Sequence, residues 1–397
     1  MADLDLLLEL MFWSCFALVA YTYVGYPLVI GLMASLFGRP DDTEGIAAGL
    51  PRVSLLVAAH NEEDVIAARL DNALAADYPA ERLEVVVATD GCTDRTADIV
   101  RRYADRGVRL IESPKRRGKA TTLNEAVPQL AGEVVVLSDA NTFFQPDAIR
   151  RMAGRFDDPG VGVVCGQLVL TDPTVGTNAD GLYWRYETFL KKCEGRLGAL
   201  LGANGGIYAL RRSVFRPVPA DTIVDDFVIP LEAKLRSGCG ITYDRRAVAH
   251  EETPPTVRAE FRRRARIGAG GFQCLGLLWR LLNPARGWIA FTFWSHKVFR
   301  WAGPFFLLGM ATAAVLLARH PLYRSLLLAQ IGFYGLSVAM PLVPSSVRVL
   351  KPLRLTTMFT GMNLALLLGF WRWLAGTQGG VWQRTERAGA GLTPAGV

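Results

Sequence analysis

Apolar residues fall along this chain in two arrangements. At both ends they form long unbroken blocks, and between them they come as short runs separated by polar, helix-patterned stretches. The first block runs from about Leu6 to Phe37, and Glu9 is its only charged residue. That is longer than the roughly 20 residues that cross a bilayer. The residues before it, Met1-Ala2-Asp3-Leu4-Asp5, are acidic, and no basic residue appears until Arg39. A signal peptide would carry a positive start and a short apolar core. The pattern therefore predicts an uncleaved helix over residues 6–38, with its N-terminus outside because the basic side follows it.

Three further blocks lie near Phe299–Leu317, Leu326–Val343 and Thr356–Trp373, and a tail follows over residues 377–397. They predict a C-terminal membrane region of about three helices over residues 299–376. Arg348, Lys351 and Arg354 form a basic loop on its cytoplasmic side. Residues 256–298 read as amphipathic segments at the interface. Within them, Gly287–Trp301 is rich in Trp and Phe yet holds His296, Lys297 and Arg300, so a re-entrant or spanning segment stays open.

The middle of the chain, residues 50–255, predicts a cytoplasmic α/β domain. Short apolar runs at Val53–Ala59, Glu84–Thr89, Val108–Ile111 and Val134–Leu137 alternate with helical stretches such as Asp64–Leu74 and Thr93–Asp105. Strands buried on both faces and alternating with helices argue a mainly parallel sheet. Ligands of such sheets bind beyond the carboxyl ends of the strands. Polar clusters sit at three of those ends: Asn61-Glu62-Glu63, Asp90-Gly91-Cys92-Thr93-Asp94 and Asp139-Ala140-Asn141. One such cluster is ordinary turn chemistry; three on one rim suggest a site.

Composition narrows the choice. Hydrophobic residues make up 51% and charged residues 20%, which excludes a disordered chain. Lys and Arg exceed Asp and Glu by 44 to 37, and that excess points to an anionic lipid or substrate; no nucleic-acid recognition motif accompanies it. Six scattered Cys without a CxxC pair suggest reduced thiols, and the four His lack zinc spacing. Asp139 and Asn141 are hard oxygen donors two residues apart, suited to Mg²⁺ or Mn²⁺. Arg116, Arg117 and Lys119 precede a helix beginning near Ala120, where cations beside a helix N-terminus favour a phosphate. A metal beside a basic loop is a way to hold a diphosphate.

Six segments together resemble glycosyltransferase family 2 in its membrane-bound branch, which includes cellulose, chitin-oligosaccharide, hyaluronan and poly-N-acetylglucosamine synthases. They are VSLLVAAHNEE (53–63), DGCTDRT (90–96), RGKATTLNEA (117–126), SDAN (138–141), GANGGIYALRR (202–212) and VDDF (224–227). The resemblance covers residues 50–275 and, more loosely, the later spans and Trp382–Arg387. It implies a GT-A fold, a Rossmann-like nucleotide-diphosphosugar domain. It also implies that Ala59, Glu62, Asp90 and Lys119 face the nucleotide, that Asp139 binds the metal with Asn141 beside it, and that Asp226 is the general base. Asp225 would be structural or acceptor-binding. Arg263 and Arg266 fall on the family's QxxRW motif, near the acceptor and diphosphate, on a helix from about Thr256 to Leu282 along the membrane surface.

The chemistry implied is inverting transfer of a sugar from a UDP-sugar, UDP-N-acetylglucosamine first, to a growing polysaccharide at the inner face of a multi-pass cell-membrane protein. The partners are the donor, a saccharide or lipid acceptor and membrane lipids. Two departures bear on the product. Asn141 stands where many members have a second Asp, and Ile267 replaces the Trp that stacks under the acceptor in processive members. Trp184, Tyr186 or Phe272 could supply a platform instead, and His250 could approach the metal. Transfer of one sugar to a lipid is the alternative, and an inactive scaffold or transport subunit is the alternative of another class.

Overall fold

The computed structural model describes residues 2–40, 49–171, 181–252, 256–343 and 353–380. The basic loop positions Arg348 and Lys351, and the segment Trp382–Arg387, lie outside the described residues. In chain order the elements are helices α1 (Ala2–Ala20) and α2 (Tyr26–Phe37), strand β1 (Val53–Ala59), α3 (Ile66–Leu74), β2 (Leu83–Asp90), α4 (Thr96–Arg101), β3 (Val108–Ser113), α5 (Lys119–Ala126), β4 (Val134–Asp139) and β5 (Thr142–Phe144). Then follow α6 (Ala148–Gly154), β6 (Val161–Thr171), α7 (Gly181–Arg196), β7 (Tyr208–Arg211), α8 (Asp225–Ser237), β8 (Gly240–Glu252) and α9 (Val257–Leu277). The last helices are α10 (Trp288–Thr292), α11 (Phe299–Leu316), α12 (Pro321–Ala339) and α13 (Arg354–Leu374).

The chain divides into two units. The larger, residues 30–260, 276–292 and 379–397, holds one eight-stranded sheet in the order β3-β2-β1-β4-β7-β6-β8-β5. The four runs read from the sequence are its parallel half: β1 pairs in parallel with β2 and β4, and β2 with β3. Every residue of β1 is buried, as expected for a strand covered on both faces. Beyond β4 the sheet changes sense. β7 runs antiparallel to both β4 and β6, β6 pairs in parallel with β8, and short β5 closes the edge antiparallel to β8. One contiguous core, including Leu55, Val57, Val87, Val136, Phe144, Met152 and Ala209, lies against the sheet. The carboxyl ends of β1, β2 and β4 share one rim, because Ala59 registers with Thr89 and Ala58 with Asp139.

The smaller unit, residues 1–29, 261–275 and 293–378, is helical. Phe12 packs with Met310, Ala313, Ala314, Leu317 and Tyr323, joining α1, α11 and α12. Among the described residues three helices are long and apolar enough to cross a membrane: Asp3–Phe37, Trp288–Leu316 and Pro321–Leu342. The first contains a π-helical turn at Tyr21–Gly25. The second absorbs the aromatic stretch read as interfacial. α10 passes through a π-helical turn, Phe293–Val298, directly into α11. α13 covers the third expected block, but Arg354, Asn363, Arg372 and three threonines reduce its apolarity. The middle of α9 packs helix to helix rather than lying open. A Cβ on Gly271 would meet Trp301 at 2.6 Å, and one on Gly369 would meet the Ala265 carbonyl at 2.7 Å. Small residues of this kind let helix backbones approach closely. Phe272, considered as an acceptor platform, is 5% exposed and packs on Phe305, Phe370 and Trp373.

Candidate active site

The rim is built first as a frame. Asn61 follows β1 with φ of 55°, a left-handed conformation that Asn tolerates better than most residues. That turn aims its amide at the next loop: Nδ2 donates to Thr93 Oγ1 at 3.1 Å, and Oδ1 accepts from Thr93 N at 2.8 Å. Glu62, buried in the turn before α3, donates its backbone N–H to Thr96 Oγ1 at 2.7 Å, and Glu63 N donates to Asp94 Oδ2 at 3.1 Å. Asp94 Oδ1 also accepts from Thr96 N at 3.0 Å, satisfying the start of α4. The Ala59 carbonyl, at the end of β1, accepts from Cys92 Sγ at 3.7 Å. The loops after β1 and β2 are thereby tied into one surface.

Asp90 closes β2 at 1% exposure, and its carboxylate is committed to the next loop. Oδ1 accepts from Arg117 N at 2.6 Å and Oδ2 from Gly118 N at 2.9 Å. The Asp90 carbonyl accepts from His60 Nδ1 at 2.6 Å. Asp90 therefore caps the turn that enters α5 from another strand, accepting from the N–H groups of Gly118 at the N-cap and Arg117 before it. The close approach requires Gly91, whose φ is +58° and whose Cβ would sit 2.4 Å from Arg116 N.

The product of this capping is the placement of Lys119, the first residue of α5. A helix N-terminus disfavours a cation, and here acids offset it. Lys119 Nζ lies 2.6 Å from Asp139 Oδ1 at the end of β4 and 3.5 Å from Asp225 Oδ2 in the first turn of α8. Burial alone would lower the ammonium pKa, but Asp139, Asp225 and Asp226 outweigh it and hold it above the ordinary lysine value. Asp226, the next residue of α8, has its pKa pushed up to about 6 by burial and then by Asp225, with Lys119 opposing. A Cβ on Gly205 would lie 3.0 Å from Asp226 Oδ2, so the glycine admits this carboxylate. Asp226 O accepts from Ala203 N at 2.9 Å, which fixes the 202–206 loop on α8.

Two residues of this cluster were not legible in the sequence. Lys191 of α7 hydrogen-bonds Asn204 Oδ1 and lowers the Asp226 pKa, while Asn204 Nδ2 donates to the Gly166 carbonyl at 2.6 Å. Tyr208 of β7 is fully buried, and its phenol pKa is raised well above the ordinary value by burial and then by Asp225, Asp226 and Asp139. Lys191 lies in none of the six segments and reads as a solvated helix residue; Tyr208 lies inside GANGGIYALRR, but nothing in the segment singles it out.

The structure thus brings Lys119, Asp139, Asp225 and Asp226 together, with Ala59, Glu62 and Asp90 on the frame around them. Asn141 lies in the turn between β4 and β5, two residues from Asp139. Arg263 and Arg266 lie on α9, in the part belonging to the helical unit. His250 pairs across from Phe143, and burial lowers its pKa. Among the described residues no group of three or more His, Cys, Asp or Glu side chains forms a ready metal cage. The residues nevertheless fit a divalent cation shared with a substrate. Three carboxylates face Lys119 and the more distant Lys191, which leaves negative charge in excess. Mg²⁺-type ions are commonly held by one or two carboxylates plus substrate phosphates.

Comparison with known proteins finds relatives of the domain that carries this site. Residues 54–218 match the family model described as Glycosyl transferase family 2. A poly-beta-1,6-N-acetyl-D-glucosamine synthase of Staphylococcus aureus (strain MSSA476) is 27% identical over 248 residues, covering 59% of this chain and 56% of the relative. An N-acetylglucosaminyltransferase of Rhizobium meliloti (strain 1021) is 28% identical over 284 residues, covering 65% and 66%. The matches to these curated relatives thus span between about half and two thirds of their length. Among solved structures, a mannosyltransferase from Pyrobaculum calidifontis in complex with GDP-Man and Mn²⁺ superposes with a TM-score of 0.71 at 26% identity, covering 92% of this chain and 99% of that one. Residues 54–218 of this chain are thus similar to glycosyl transferase family 2, on a GT-A type of fold.

Proposed function

We propose that the protein is a membrane-bound inverting glycosyltransferase that moves a sugar from a nucleotide-diphosphate sugar to an acceptor hydroxyl. The observation that carries this reading is the grouping of Lys119, Asp139, Asp225 and Asp226 at the strand-end rim. The rim loops around Ala59, Glu62 and Asp90 would receive the base and ribose, with Asp90 holding the Lys119 loop in register. Asp139, with Asn141 beside it, would hold Mg²⁺ or Mn²⁺. When bound, the metal supplies charge neutralisation to the leaving diphosphate. Lys119 adds a second positive charge on the same side. Asp226, with its pKa of about 6, is ionised at neutral pH and still basic enough to take the acceptor proton. Asp225 keeps Lys119 in place. Arg263 and Arg266 are proposed to serve the acceptor or diphosphate.

UDP-N-acetylglucosamine is the donor to test first, supported by the N-acetylglucosamine enzymes among the relatives. The product proposed is a polysaccharide made at the inner face of a multi-pass cell-membrane protein, with the catalytic domain cytoplasmic. GDP-mannose belongs in the donor panel because the archaeal mannosyltransferase matches nearly the whole chain. One observation favours single transfer to a lipid: position 267 is a 40% exposed Ile, not an aromatic platform. Nucleotide release from purified protein with each donor and Mg²⁺ or Mn²⁺ tests the activity. A radiolabelled ladder supports the polymer, and one lipid-extractable product supports the alternative. Failure of every donor would overturn the enzymatic reading.

A further inference from the structure

Tyr208 is an unexpected residue for its position. Its strand lies in the middle of the sheet, paired with Leu137 of β4 on one side and Cys165 of β6 on the other. Directly paired residues of an antiparallel ladder share a face, and residues two apart on one strand do too. Tyr208 therefore stands on the face of Leu137 and Asp139. It is 0% exposed, and its Oη has no hydrogen-bond partner among the described residues;. A Phe would fill the same core volume without burying a hydroxyl, so packing does not account for the tyrosine. A second buried polar atom in the cluster is also without a hydrogen-bond partner: Asp225 Oδ2, which sits 3.5 Å from Lys119 Nζ. One is a donor and the other an acceptor, and among the acids Asp225 does most to raise the phenol pKa, ahead of Asp226 and Asp139.

We propose that Tyr208 is a positioning residue of the acid cluster: its hydroxyl donates to the Asp225 carboxylate through one bridging water, and holds it beside Lys119 so that Asp226 alone is left to take the acceptor proton. This rests on the functional reading above. The charged groups facing Asp226 are Asp225 on its own helix, Lys119 on α5, Asp139 on β4 and Lys191 on α7. Removing the phenol O–H leaves the Asp225 charge less compensated, and Asp226 should then hold its proton to higher pH.

The test uses the full-length protein in detergent, as wild type, Tyr208→Phe, Asp225→Asn and the double variant. Two readouts are taken against pH: nucleotide release, and carbodiimide labelling of Asp226, which reports its protonated form by mass spectrometry. In Tyr208→Phe we expect kcat to fall about tenfold or more while KM for the donor holds. The acidic limb and the labelling midpoint should both move to higher pH, and Tyr208→Phe should add nothing in the Asp225→Asn background. Unchanged kcat and midpoint, or effects that simply add in the double variant, would overturn the proposal. Should Tyr208→Phe fail to fold, Tyr208→Met with the same labelling midpoint as wild type would overturn it equally. Labelling needs no turnover. A chain that transfers no sugar but shows the shift would sink the functional reading and keep only the link from Tyr208 to Asp225; normal turnover with no shift would keep the functional reading and overturn that link.

Discussion

Two groups of acids sit at one rim of this sheet and are handled in opposite ways. Asp90 is saturated, its carboxylate taken by two backbone N–H groups and its carbonyl by His60. Asp139, Asp225 and Asp226 are crowded together around one close ammonium, and one of their oxygens has no hydrogen-bond partner. A satisfied buried acid stabilises the fold, whereas an under-compensated cluster costs stability and persists where a charged ligand or a proton transfer uses it. The difference separates scaffold from chemistry at one end of a domain, without reference to any relative.

The largest effect expected from breaking that comparison is on turnover. Asp226→Asn should lower kcat by about 10² to 10⁴ while leaving donor KM and the fold intact, as read by nucleotide release and circular dichroism. Because the carboxylate pKa is raised, its ionisation opposes folding above the unfolded value. Asp226→Asn should therefore unfold at a temperature equal to or above wild type near neutral pH, with the gain lost as pH falls below the unfolded carboxylate value.

Asp90→Asn should do the reverse. An amide has one acceptor oxygen, so one of the N–H groups of Arg117 and Gly118 would face an NH₂ group. The expected cost is about 2–3 kcal/mol of stability, seen as a lower Tm, with a raised donor KM because the Lys119 loop loosens. A variant with wild-type Tm and a collapsed kcat would mean that Asp90 had been assigned to the wrong group.

A milder perturbation is pH. The acidic limb of kcat should reflect Asp226, with activity rising as pH increases toward and past about 6 and the carboxylate ionises. A cation bound at Asp139 would draw this limb to lower pH, so saturating Mn²⁺ should shift it downward. The smallest effect expected is at Arg95→Ala. Its partner Glu63 lies on the same rim, but the pair is exposed, and neither Tm nor turnover should change measurably.

The reach of the sequence followed the same division. β1 to β4 were legible because strands buried on both faces leave unbroken apolar runs, Asp90 and Asp139 because polar residues directly follow those runs, and Lys119 because it stands with Arg116 and Arg117 at the start of a helix. Asp225 and Asp226 carry no such signal and came from the resemblance of VDDF to a known family. The mixed half of the sheet was not read as strands, since β6 and β8 pair across some 80 residues and share no local motif. Lys191 was invisible because it reaches Asp226 only through the fold of α7 and the Asn204 loop. The polar residues His296, Lys297 and Arg300 masked the continuity of α10 with α11, although His296 in the π-helical turn and Arg300 in α11 are both buried.

The central claim is that Asp139, within the crowded cluster, makes nucleotide binding depend on a divalent cation. Calorimetric titration of purified protein with UDP, and with GDP in parallel, with and without Mn²⁺, tests it most directly. The account predicts binding of at least one of them that requires Mn²⁺ in the wild type and is lost in Asp139→Ala. Nucleotide binding that is equally tight without metal, or that keeps its metal dependence in Asp139→Ala, would contradict it.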